Sequence, residues 1–145
     1  SYLTARPSRD LVVAAHQQIT QDWWDDEREH FKLYISETVI DEISKGDNEA
    51  AQRRQQAAEG IHVLYLNQNI GKLVHIYKTR ISLPEKADTD LLHIAFAVHH
   101  EIDYILTWNC RHIANARVIE QLHSINQEIA VFTPAIYTPE ELTGF

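Results

Sequence analysis

Two periodicities take turns along this chain. From Ser8 to Glu29 the apolar residues Leu11, Val12, Ala14, Ala15, Ile19, Trp23 and Trp24 recur at helical spacing, and Ser8 or the run Ser8-Arg-Asp10 can cap the start. The charged run Asp25 to Glu29 reads as the solvated end of that helix. Phe31 to Ser36 switches to β-formers and predicts a strand. Ser36 then caps a second helix, with Val39, Ile40 and Ile43 on its inner side and Glu42 beside them. After a break at Lys45 to Asn48, Glu49 to Gly60 is a polar, alanine-rich helix stopped by Gly60. Ile61 to Leu66 predicts a strand. Asn67 opens a helix through Ile70, Leu73, Val74, Ile76 and Tyr77 that ends before Pro84.

The stretch Leu83 to Asn115 organises the rest. Pro84, Asp88 and Asp90 sit where a helix begins, and acids there complement the helix dipole and can cap free amides. Leu91, Leu92, Ile94, Ala95, Ala97 and Val98 give that helix a wide apolar face, and His99-His100 ends it. Asp103 to Thr107 is a short apolar run suited to a strand covered on both faces. A polar turn follows, Trp108-Asn109-Cys110-Arg111-His112, at the carboxyl end of that strand, where open α/β sheets bind ligands. Ala114 to Glu128 predicts a helix with Val118, Ile119, Leu122 and Ile125 inward. Ile129 to Phe132 reads as a last strand, Thr133 to Pro139 as an irregular tail, and Pro139 to Leu142 as a final helical turn. Strands alternating with helices predict one α/β domain over residues 1–145, with a parallel sheet and right-handed crossovers.

Composition narrows the chemistry. A net charge of −8 argues against broad, charge-driven nucleic-acid binding, though not against an enzyme that takes nucleic acid at one site through metal ions. One cysteine, Cys110, rules out an internal disulfide framework and fits a reducing, cytoplasmic setting. No membrane span or leader is expected. Methionine is absent even at position 1, so Ser1 follows initiator removal or lies inside a longer protein. No phosphate-cradling glycine loop, nucleophile elbow or H-E-x-x-H is present. The lack of an acid pocket with a phosphoacceptor Asp at a strand end argues against a receiver-like module.

The carboxylates carry more information. Glu42, Asp88 and Asp90 lie on helices that follow strands or crossovers, and oxygen ligands suit Mg²⁺ or Mn²⁺. Each alone is an ordinary helix residue. Asp90 and His93 share a helix face, so His93 could orient Asp90 or touch substrate. Asn109 could cap the following helix, or bind a metal-held water or a phosphate oxygen. Arg111 and His112 lie close enough in sequence to contact a phosphate backbone.

Asp90-Leu-Leu-His-Ile-Ala-Phe-Ala97, Asp103-Tyr-Ile-Leu-Thr-Trp-Asn109 and, upstream, Ser36-Glu-Thr-Val-Ile-Asp-Glu42 together resemble the PIN-domain family. The likeness is greatest to the VapC-type toxins of toxin–antitoxin pairs, whose ending is also similar to Thr133 to Leu142. The resemblance implies a Rossmann-like α/β/α sandwich and a Mg²⁺- or Mn²⁺-dependent endoribonuclease. Water would attack the phosphodiester in line and leave a 3′-hydroxyl and a 5′-phosphate. It implies an antitoxin partner and a homodimer. Carried over, Glu42 and Asp90 match the second and third family acids as metal ligands, with Asp88 a register alternative. Thr107-Trp-Asn109 matches the fourth motif, with Asn where that family often has Asp. The reading makes Glu42, Asp90 and Asn109 catalytic, and Thr107, Arg111, His112 and His93 contacts to RNA. The family's first acid ends a strand that would precede a segment like Ser1 to Ala5. That strand and its Asp are therefore expected to be missing from residues 1–145, leaving an incomplete site. A degenerate PIN module that binds RNA or a protein without cutting is the alternative.

Overall fold

Side-chain caps start five of the helices. Asp10, Ser36, Asp47, Asn67 and Asn115 each place a side-chain oxygen on a backbone amide of the first turn, satisfying a donor that has no partner within the helix. The computed structural model describes all residues 1–145. It is a mixed α/β chain with helices α1 (Leu11–Asp26), α2 (Glu37–Ile43), α3 (Asn48–Ala58), α4 (Gln68–Arg80), α5 (Asp88–His99) and α6 (Ala116–Glu128). Its strands are short: β1 (Tyr34–Ser36), β2 (His62–Leu64), β3 (Tyr104–Leu106) and β4 (Ala135–Tyr137). Two parallel pairs form, β1 with β2 and β3 with β4. The parallel pairing follows from the helices that separate each pair, since parallel strands need a crossover. No helix is long and apolar enough to cross a membrane.

The chain packs as two compact units, residues 1–65 with 139–145, and residues 66–138. In the first, Trp23 is buried against Phe31 and its indole N–H donates to the Leu142 carbonyl at 2.7 Å. The C-terminal segment is held further by Glu27, whose carboxylate accepts from the Gly144 amide at 3.1 Å. Glu27 thus leaves the solvated charged run and becomes a tether. Gln17 is buried in α1 and satisfied by the loop before it, donating to the Arg6 carbonyl and accepting from the Ser8 amide. Leu11 and Val12 depart from the expected inner face; both are exposed at the first turn of α1. Arg54 of α3 donates from Nε to the Ile43 carbonyl at 3.0 Å and from Nη2 to Lys45, closing the carbonyl end of α2.

The second unit has the stronger core. Ile70, Tyr77, Ile94, Leu122 and Asn126 are fully buried there. The Tyr77 hydroxyl donates to Asn126 Oδ1 at 2.7 Å, and Asn126 Nδ2 donates to the Phe132 carbonyl at 3.1 Å, so a buried polar chain ties α4 to α6 and the segment after it. Burial pushes the Tyr77 hydroxyl up to about 12, against a smaller opposing effect of its bond to Asn126.

The expected strand at Ile129 to Phe132 does not form. α6 ends in a Schellman turn: Val131 N–H reaches the Asn126 carbonyl at 3.0 Å, Ala130 N–H reaches Gln127 at 3.4 Å, and Ala130 takes φ 56°. That turn uses the apolar residues a strand would need, and β4 starts at Ala135, inside the stretch expected to be irregular. α5 ends the same way, with Glu101 at φ 52° and Ile102 N–H on the Ala97 carbonyl at 2.9 Å. The expected final helical turn at Pro139 to Leu142 is an unrepeated turn. The helix expected from Ala114 starts at Ala116, where Asn115 caps it.

Candidate functional site

The site is built where α5 begins and where β3 ends. α5 is entered from a 3₁₀ turn, Glu85–Ala87, and no side chain caps it. Asp88 and Asp90 therefore do not act as the expected caps. Asp88 pairs with Lys78 at 2.7 Å on an exposed surface, where such a pair contributes little stability; that bond holds the Lys78 ammonium above its usual range. Asp90 is turned to the other side and its side chain is only 20% exposed.

Both Asp90 oxygens are engaged by the turn after β3. Asn109 Nδ2 donates to Oδ1 at 2.9 Å. His112 Nδ1 lies 2.8 Å from Oδ2. A carboxylate of this kind only accepts, so Nδ1 carries the proton that faces Oδ2, and the Nε2 edge points away from this bond. The turn itself is fixed by Asn109. Its Oδ1 accepts from the His112 amide at 3.0 Å, its amide donates to Thr107 Oγ1 at 3.0 Å, and its carbonyl accepts from Ile113 and Ala114. Asn109 thus makes its own turn and leaves helix capping to Asn115.

The acidic helix start and the polar turn after β3 therefore converge, and they bring together Asp90, Thr107, Asn109 and His112. Arg111 is exposed on the same turn and makes no ion pair. His93 is half-buried on α5, but the imidazole that reaches Asp90 belongs to His112. Glu42 is exposed on α2, in the other compact unit. The contact between residues 90 and 112 is the feature sequence reasoning missed. Their separation of 22 positions carries no local signal, although a βα unit with an acid at one end and a histidine past the other is the pattern that would have suggested it.

No group of three or more His, Cys, Asp and Glu side chains converges in a way that holds a metal. The oxygens of the Asp90 site still suit a hard cation. Each carboxylate oxygen accepts one hydrogen bond and keeps a second lone pair, and Mg²⁺ is commonly held by one or two carboxylates with waters completing its shell. Comparison with protein-family models, with curated proteins and with solved structures gives no match.

Proposed function

We propose that the chain is a PIN-type α/β/α domain and a Mg²⁺- or Mn²⁺-dependent endoribonuclease of the toxin kind. One observation carries this reading. Asp90 and Asn109, which match the third and fourth motifs of that family, are in direct contact at 2.9 Å at the carboxyl end of a parallel strand. Asp90 would hold the cation, and Asn109, in a turn anchored by Thr107 Oγ1, would hold the Asp90 carboxylate in place through Nδ2. The cation, when bound, supplies positive charge against the scissile phosphate. Arg111, exposed and without an ion pair, is available to a phosphate of the RNA backbone. His112 sits beside the same carboxylate, and His93 lies one turn further along α5. Glu42 enters as the second metal acid through the resemblance alone. A basic antitoxin, a homodimer and a cytoplasmic setting belong to the same reading.

The test is cleavage of structured RNA with Mn²⁺, and with EDTA as control. Asp90→Asn should be slower by about 100-fold or more, an effect of several kcal/mol on the reaction barrier. Equal rates for Asp90→Asn and wild type would remove the assignment.

A second reading has its own support. Asp90 already has a donor on each oxygen, and Asn109 brings an amide where a charge would assist a second ion. This arrangement also suits a PIN-like module that binds RNA or a protein without cutting. Calorimetry separates the two readings, because a non-cleaving module of this kind gives no heat with Mn²⁺.

A further inference from the structure

We propose that His112 is a positioning residue for Asp90, and that its Nδ1–H sets the orientation in which the carboxylate meets a divalent cation; this rests on the metal-dependent reading above. Three observations carry it. The Nδ1 to Oδ2 distance is 2.8 Å, short enough for a charge-assisted hydrogen bond. The His112 and Asp90 side chains are 15% and 20% exposed, so water competes weakly for either partner. The His112 backbone amide is held at 3.0 Å by Asn109 Oδ1, and the Asn109 amide group holds the other Asp90 oxygen. Asn109 and His112 therefore grip the carboxylate from both sides, and Asn109 also fixes the turn that presents the imidazole. With both oxygens engaged, the plane of the carboxylate is set before any ligand arrives. A free Asp side chain would have to lose its rotation on binding.

The inference gives His112 a different role from an RNA contact. Its Nδ1 edge acts on the protein, and only the Nε2 edge is left for substrate. It also separates two conservative substitutions. The amide nitrogen of Asn falls near the position of an imidazole Nδ1, whereas that of Gln falls near Nε2. Asn at 112 should therefore keep the donor to Asp90, and Gln should not.

The experiment measures Mn²⁺ binding by calorimetry for wild type, His112→Ala, His112→Asn and His112→Gln. Nitrogen-15 NMR of the imidazoles and thermal unfolding are recorded on the same proteins. Removing a group that orients a metal ligand commonly weakens the metal 10- to 100-fold. We expect a loss of about that size in His112→Ala and His112→Gln, with His112→Asn within about threefold of wild type. We also expect the His112 ring to carry its proton on Nδ1 in the wild type, with an exchange-protected signal that Asp90→Ala removes. Wild-type Mn²⁺ binding that His112→Ala leaves unchanged would overturn the inference while the metal-dependent reading stands. A wild-type protein with the protected Nδ1 proton but no Mn²⁺ binding would overturn that reading, and the positioning role with it. A ring protonated on Nε2 and not on Nδ1 would overturn the inference from the contact itself. A folded His112→Asn that loses Mn²⁺ as fully as His112→Ala would do the same.

Discussion

Replacing Tyr77 by Phe should make the stability of this protein less dependent on alkaline pH. The Tyr77 hydroxyl is fully buried and donates to Asn126 Oδ1, and Asn126 is itself fully buried. Removing the hydroxyl leaves that carbonyl without its donor, at a cost of roughly 1–3 kcal/mol at pH 7. The pH dependence comes from the same burial. The phenol is raised from 10.0 to about 12 in the folded protein. A group raised on folding contributes fully below its unfolded value, and its contribution is lost as pH climbs toward the folded value. A shift of that size corresponds to about 2.7 kcal/mol when fully expressed. At pH 11, about tenfold more deprotonation is available to the unfolded chain, so about 1.4 kcal/mol is lost. Urea unfolding followed by tryptophan fluorescence gives both numbers when wild type and Tyr77→Phe are compared at pH 7 and pH 11. Comparing the two proteins cancels the other groups that titrate in this range. The stability gap should narrow by about 1.4 kcal/mol between the two pH values. A gap that stays constant would show that Tyr77 ionises equally in both states. A variant as stable as wild type at pH 7 would refute the account of the buried hydrogen bond.

Other substitutions test separate parts of the structure. Ala130→Gly and Glu101→Gly should each stabilise the protein by about 0.5–1 kcal/mol in the same urea assay, because both residues sit in the left-handed region that glycine enters without a Cβ penalty. Arg54→Ala should cost roughly 1–2 kcal/mol, since the carbonyls of Ile43 and Lys45 lose their guanidinium donor. Asn109→Asp should destabilise the metal-free protein by roughly 2–4 kcal/mol, by removing the donor to Asp90 and placing a like charge against it. On the metal-dependent reading, Mn²⁺ should restore part of that loss, read as a rise in Tm on titration.

What was legible in the sequence follows from how local each signal is. Ser36 and Asn67 were readable as caps because the bond spans three residues and needs nothing from elsewhere. Tyr104 to Leu106 was readable as a strand because a short apolar run after a completed helix has few alternatives. β4 was misplaced because Ile129 to Phe132 carries the composition of a strand while its backbone is committed to the end of α6. The commitment comes from Val131 closing onto Asn126 with Ala130 left-handed, and alanine gives no hint of that conformation. Leu11 and Val12 were misread because helical spacing finds the apolar face but does not tell which of its turns is covered. In the site, Asp90 and Asn109 were readable as one βα unit apart, whereas the bond between His112 and Asp90 depends on a turn shape that Asn109 and Thr107 fix through bonds within the turn.

Asn109 is the residue on which the two functional readings divide. Its side chain works at both ends, accepting from the His112 amide through Oδ1 and donating to Asp90 through Nδ2. Asp could supply the first bond and not the second. At 2.9 Å from Asp90 Oδ1, a second carboxylate would face a like charge unless a cation lay between them. The asparagine therefore does more than subtract a charge from an acidic site. It satisfies Asp90 without metal, so the metal-free site is a stable hydrogen-bonded arrangement. A cation binding there need not hold two acids together; it must add to a carboxylate whose position is already fixed. Such a site favours one ion over two and binds it with less help from charge. On the metal-dependent reading, the ordering supplied by Asn109 and His112 takes the place of a second charge.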